Sequence, residues 1–154
     1  MQTVRIRADI LVQDADGNEL ALVEVKNRQG LSPDIAATLR RNLITHGLAN
    51  QSSRFFFLMS QDMGYLWDQN SLPGVDIPSP AFEFPMVQVV EHYLPSLSGT
   101  IRLSESQLEL AVTQWLRDLA NEVEDRPREP EAVLSKTDFP RLVRGGRLDT
   151  EVEA

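Results

Sequence analysis

Arg54-Phe55-Phe56-Phe57-Leu58-Met59-Ser60 sets five large apolar side chains in succession with no polar alternation. A strand with one wet face alternates; a run like this reads as a central strand covered on both faces. The covering layers must then come from the rest of the chain. Gly30-Leu31-Ser32-Pro33-Asp34 supplies the start of one helix. Ser32 can cap it, Pro33 suits its first position, and Asp34 suits the positive end of its dipole. Ile35, Ala36, Leu39, Leu43 and Ile44 form its apolar stripe, and Gly47 is the expected stop. Ser104 opens a second helix with Gln107 at the capping-box position; Leu108, Ala111, Val112, Trp115, Leu116, Leu119 and Val123 form its buried face.

Ahead of these lies a hairpin. Residues 4–12 alternate, with Val4, Ile6, Ala8, Ile10 and Val12 on one face and Arg5, Arg7, Asp9 and Leu11 on the other. Asp14-Ala15-Asp16-Gly17-Asn18 is a turn, because Asp-Gly accepts positive φ readily. Leu20 to Lys26 returns, with Ala21, Val23 and Val25 on one face and Leu20, Leu22, Glu24 and Lys26 on the other. If Asp16 and Gly17 are the central residues of a tight turn, Asp9 falls directly opposite Glu24, and Arg7 opposite Lys26. Directly paired Cβ atoms lie roughly 4.5–5.5 Å apart, so two carboxylates there repel unless a cation sits between them. Mg²⁺ is a hard ion that takes one or two carboxylates together with water and phosphate oxygens. Lys26, on the face of Glu24, could stabilise a hydroxide nucleophile or charge on a phosphoryl group. The alternative is a solvated sheet face of mixed charge, and a one-residue bulge would separate the acids.

The residues that follow include a short strand, Met63 to Trp67, and a proline-rich loop over 71–85. A short helix is expected over 86–93. From Asp125 the chain is rich in charge and proline and poor in periodicity. The expected organisation is a domain over 1–124 and a flexible or partner-binding tail over 125–154. A chain of 154 residues suffices for one domain with a real core. The absence of cysteine excludes disulfides and thiolate metal sites. With no signal-peptide layout at the start and no long apolar run, a cytoplasmic protein with no membrane span is expected. The net charge of −8 opposes generic nucleic-acid binding, but residues 1–54 carry +1 and the remainder −9. The candidate site thus lies in the half that tolerates a phosphate.

Arg7-Ala8-Asp9, a glycine-containing turn, and Val23-Glu24-Val25-Lys26 resemble the PD-(D/E)XK nuclease superfamily. The helix over 32–47 and the apolar strand over 54–60 continue the likeness, which covers residues 4 to about 67. It implies an α/β, restriction-endonuclease-like fold, a central mixed β-sheet flanked by helices. It also implies a metal-dependent endonuclease or exonuclease acting on nucleic acid, DNA in the first place. Asp9, Glu24 and the carbonyl of Val25 would hold Mg²⁺ or Mn²⁺. Asp9, Glu24 and Lys26 would be the catalytic set, and Arg7, Arg28 and Gln29 would contact nucleic acid. Ala8 stands where the family has proline. The helix with which the family core begins would be missing, supplied elsewhere in the chain, or supplied by a partner. A homodimer or a protein partner bound through the C-terminal region is the expected assembly. The alternative is a catalytically silent regulatory subunit on the same fold.

Other patterns point to bland roles. Asp14, Asp16 and Asn18 start like a calcium loop, but Glu19 and Val25 stand where it needs glycine and a bidentate glutamate. His46 and His92 are expected to be structural, without zinc spacing. Gln61 and Tyr65 match a Gln-x-x-x-Tyr spacing of some nucleases, on the wrong kind of element. Arg141, Arg144 and Arg147 read as a solvated basic patch.

Overall fold

The computed structural model describes residues 9–28, 30–45, 53–69, 79–97 and 102–150. Asp14 builds the first turn. Its carbonyl accepts from the Gly17 amide at 3.0 Å, and its own amide donates to the Asn18 carbonyl at 2.9 Å. Its carboxylate accepts from the amides of Asp16 and Asn18, each at 2.9 Å. Gly17 lies at φ +86°, where a Cβ would be strained. The turn is thus wider than the tight one expected: Gln13 pairs with Glu19. Leu20 is then an extra residue, a bulge, and the register resumes at Val12↔Ala21, Leu11↔Leu22 and Ile10↔Val23. The wider turn shifts the pairing by one and the bulge shifts it back. Beyond Val12 the strands therefore pair as the tight turn would have paired them. The bulge corrects one facing: Leu20 joins Ala21, Val23 and Val25 in the same core cluster, not Leu22.

The hairpin strands are β1 (Ile10–Gln13) and β2 (Glu19–Val25), followed by helix α1 (Pro33–Thr45). Next come β3 (Phe55–Met59), β4 (Met63–Asp68), β5 (Phe82–Pro85) and α2 (Val87–Tyr93). After α3 (Glu105–Ala120), short helices α4 (Glu131–Leu134) and α5 (Phe139–Val143) lead to β6 (Arg147–Thr150). Among the described residues the sheet has six strands, in the order β5-β4-β3-β2-β1-β6. β2 and β3 run parallel, joined across α1, and the other described pairs are antiparallel. The protein is therefore an α/β fold with a mixed sheet between helical layers. No helix among the described residues is long and apolar enough to cross a membrane.

Every residue of β3 is buried, as its unbroken apolar run predicts. Phe55, Phe57 and Met59 face α2, α3, α4 and α5, while Phe56 and Leu58 face α1. α3 enters through the capping box: Ser104 Oγ accepts from the Gln107 amide, and Gln107 Oε1 accepts from the Ser104 amide. Its expected stripe from Leu108 to Leu119 is buried. Val123 is not part of it, because the helix stops at Ala120 and Glu122 turns the chain at φ +56°.

α1 rotates relative to expectation. Ala36, Ala37 and Arg40 are buried, and Ile35 is exposed. Two alanines let the helix approach the sheet, and the Arg40 guanidinium lies over the rings of Phe56 and Trp67, at 5.8 and 5.4 Å from their centroids. Ser32 Oγ accepts from the Ile35 amide as a cap should. Residues 4–8, Gly47 and 71–78 lie outside the described residues. Within the expected loop, 82–85 forms strand β5; Pro85 is tolerated because β5 is an edge.

The region from Asp125 through Thr150 packs on the same sheet instead of standing apart as a tail. Leu134, Phe139 and Val143 are fully buried. The Phe139 ring meets Phe55 and Phe57 edge-on, with centroids 5.3 and 4.9 Å apart, and β6 pairs with β1. Helices of four and five residues are too short to show periodicity in a sequence window, which is why this cover was not legible.

Candidate active site

The register that puts Ile10 beside Val23 brings Asp9, the next residue out, to Glu24. Asp9 Oδ2 accepts from the Val25 amide at 2.7 Å, which fixes that carboxylate against β2. Glu24 sits on the α1 side of the sheet, paired with Leu58 of β3, and is only 5% exposed. Burial is the main force pushing its pKa up, to about 8. The charge of Asp9 adds to this. The Lys26 ammonium pulls it back down. At neutral pH the pair therefore keeps a proton that an ordinary glutamate would have released.

Lys26 is half-buried, and its amide donates to the Met59 carbonyl at 2.9 Å, extending the parallel ladder one residue past β2. The chain then turns, with the Arg28 amide donating to the Lys26 carbonyl at 2.8 Å. Arg28 is exposed and borders an open groove of about 370 Å³ along α1, lined also by Asp34, Ile35, Thr38, Leu39 and Asn42. Val25 lies between Glu24 and Lys26 in sequence and buries its side chain on the opposite face of the sheet. The structure thus gathers Asp9, Glu24 and Lys26 and leaves Arg28 at the rim. Arg7 and Gln29 lie outside the described residues. Among the described residues, no third histidine, aspartate or glutamate joins the pair to make a larger metal-ligating group.

The donor set fits a hard divalent cation. It consists of oxygens alone, from the half-buried Asp9 and the buried Glu24, whose charges repel and are only partly offset by Lys26. A cation between them would replace the proton that Glu24 keeps and offset the Asp9 charge that adds to the effect of burial.

Sequence reasoning missed Asn27. Its side chain reaches Gln61, Arg102 and Leu103, and its amide donates to Glu105. No spacing in the chain links positions so far apart, so no pattern could have found it. Gln61 belongs to this network, whereas the Tyr65 hydroxyl donates to the Leu31 carbonyl at 3.1 Å, on the α1 side. The two do not act together.

The calcium-like turn and His92 serve local structure, whereas the basic residues of the C-terminal region belong to ion pairs and a strand and not to a solvated tail. The Asp14 carboxylate is used within its own turn. The His92 ring meets Tyr93 edge-on, and its Nε2 lies 3.8 Å from Asp125 Oδ2. Arg141 and Arg144 pair with Asp138 and Glu122. His46 lies outside the described residues.

No family model matches the chain, and neither a curated protein nor a solved structure matches it.

Proposed function

We propose that this chain is a metal-dependent nuclease of the PD-(D/E)XK type with a restriction-endonuclease-like core, hydrolysing phosphodiester bonds in nucleic acid, DNA in the first place. The observation that carries the reading is the buried Glu24, brought beside the half-buried Asp9 by the hairpin register, with Lys26 just beyond the end of the same strand. Such a pair has no use in the stability of a sheet. Burial and like charge both work against it.

The connectivity supports the reading. A hairpin presents the two acids, a helix crosses over, and the next strand lies parallel to the one bearing Glu24 and Lys26. β6 flanks β1, and α3 covers the sheet face opposite α1. In this reading the C-terminal half of the domain provides cover that the superfamily takes from a helix ahead of its first strand.

Asp9, Glu24 and the Val25 carbonyl would hold Mg²⁺ or Mn²⁺. When bound, the ion supplies Lewis-acid charge at the phosphoryl group and lowers the pKa of a water. The remaining work falls to the chain. Asp9 is fixed by the Val25 amide and does not need to reorient. Lys26 sets a positive charge beside the pair, where a phosphoryl group gains negative charge in the transition state. Arg28, exposed on the groove along α1, would receive a neighbouring phosphate. Hydrolysis joins the oxygen of water to phosphorus and breaks the bond to the leaving oxygen.

The test is cleavage of single-stranded DNA, double-stranded DNA and RNA in Mg²⁺ or Mn²⁺, with Asp9→Ala and Lys26→Ala alongside. Cleavage that requires the metal and is lost in both variants supports the proposal. The net charge of −8 favours the rival, a silent regulatory subunit on the same fold. Absence of cleavage on every substrate by the wild-type protein would favour that rival.

A further inference from the structure

The strand that carries Glu24 and Lys26 leaves the sheet through Asn27, and the Asn27 amide group uses its whole hydrogen-bonding capacity there. Oδ1 accepts from the Gln61 amide at 3.0 Å and from Arg102 Nη1 at 2.8 Å. Nδ2 donates to the Leu103 carbonyl at 2.6 Å and to Gln61 Oε1 at 3.2 Å. Two lone pairs and two N–H groups are all an asparagine side chain has. The backbone amide adds a fifth bond, to Glu105 Oε2 at 3.2 Å. The partners are themselves fixed. Gln61 Oε1 also accepts from the Leu103 amide at 2.9 Å, and Arg102 Nη2 lies 3.6 Å from Asp62 Oδ2.

Three segments therefore converge on one half-buried side chain: the exit of β2, the turn from β3 to β4, and the entry to α3. Lys26 is the residue immediately before it, and its amide bond to Met59 is the last described rung of the parallel ladder. An apolar side chain could fill the same space. A fully satisfied polar network also fixes direction, because each bond demands its own angle.

We infer that Asn27 is a positioning residue for Lys26: by clamping the backbone one residue beyond it, Asn27 holds the ammonium beside the Asp9–Glu24 pair. The inference rests on the reading of that pair and Lys26 as the reactive centre. Small displacements of a charged group at such a centre lower the rate without weakening binding.

The sequence makes the test clean, because Lys26 and Lys136 are its only lysines. Lys136 is exposed and serves as an internal reference. Side-chain ¹⁵N and ¹³C relaxation should show Lys26 more ordered than Lys136 in the wild-type protein, and equally mobile in Asn27→Ala. In the cleavage assay, Asn27→Ala should lower kcat by about tenfold or more, with KM and Mn²⁺ affinity unchanged. Asn27→Asp keeps both acceptor bonds and should recover part of the order and the rate. If Asn27→Ala does not fold, Arg102→Ala removes one donor to Oδ1 and should move Lys26 the same way by less. Lys26 as mobile as Lys136 in the wild type, or unchanged order in a folded Asn27→Ala, would overturn the inference. Lys26 order that depends on Asn27 in a protein that cleaves nothing would uphold the positioning role and refute the nuclease reading.

Discussion

Raising the pH in the absence of divalent cations should destabilise this protein, and Glu24 should account for most of the change that a single substitution can remove. In the unfolded chain Glu24 titrates near its ordinary 4.5; in the fold it titrates near 8. Below the first value both states hold the proton, and the associated stability is present in full. Between the two values the folded protein keeps a proton that the unfolded chain has released, so stability falls as pH rises. Above the second value both are ionised and the contribution is gone. Each pH unit inside the window is worth about 1.4 kcal/mol, and the whole span has an upper limit of roughly 5 kcal/mol. From about pH 5.5 to about pH 7.5 the loss should be roughly 2 to 3 kcal/mol, or about 5–10 °C in Tm for a domain of this size.

Glu24→Gln keeps the shape and removes the titration. The assay is urea denaturation across that range with chelator present, comparing the two proteins. The variant should lose less stability as pH rises and become the more stable of the two by about pH 8. Added Mn²⁺ should stabilise the wild type at about pH 7.5 and leave Glu24→Gln almost unmoved. Parallel stability curves for the two proteins would refute the reasoning, because they would show that no buried proton is held at Glu24.

Phe139→Ala should cost about 3–5 kcal/mol in denaturant unfolding, because the ring is fully buried against Phe55 and Phe57. An unchanged midpoint would mean that the region after Asp125 is dispensable to the domain. Gly64→Ala should destabilise by about 1–3 kcal/mol, since a Cβ there would collide with the buried Phe84 ring. Combining it with Phe84→Leu should recover part of the loss, and a lack of any recovery would contradict the steric account.

Elements set by local chemistry were legible in the sequence, and those set by long-range packing were not. The capping box at Ser104 and the apolar run of β3 are local signals, and both formed as read. The Asp9–Glu24 apposition was reached through a turn that the chain does not use. The bulge at Leu20 restored the register, and alternation alone cannot reveal a bulge. The burial of Arg40 depends on Phe56 and Trp67, which arrive from other strands. Leu134, Phe139 and Val143 reach the core by way of short helices without a readable period. Asn27 was invisible for the same reason, since its partners lie at 61 and 102–105 and meet it only once β3, β4 and α3 are in place.

Divalent-cation binding at the Asp9–Glu24 pair is the premise of the nuclease chemistry. Calorimetric titration of Mn²⁺ into the wild-type protein at about pH 7, in two buffers of different ionisation enthalpy, reads both the binding and the proton it displaces. The account predicts one saturable site that releases close to one proton per ion, and no such site in Asp9→Asn or Glu24→Gln. Absence of saturable binding by the wild type at millimolar Mn²⁺, or binding that persists undiminished in both variants, would contradict it.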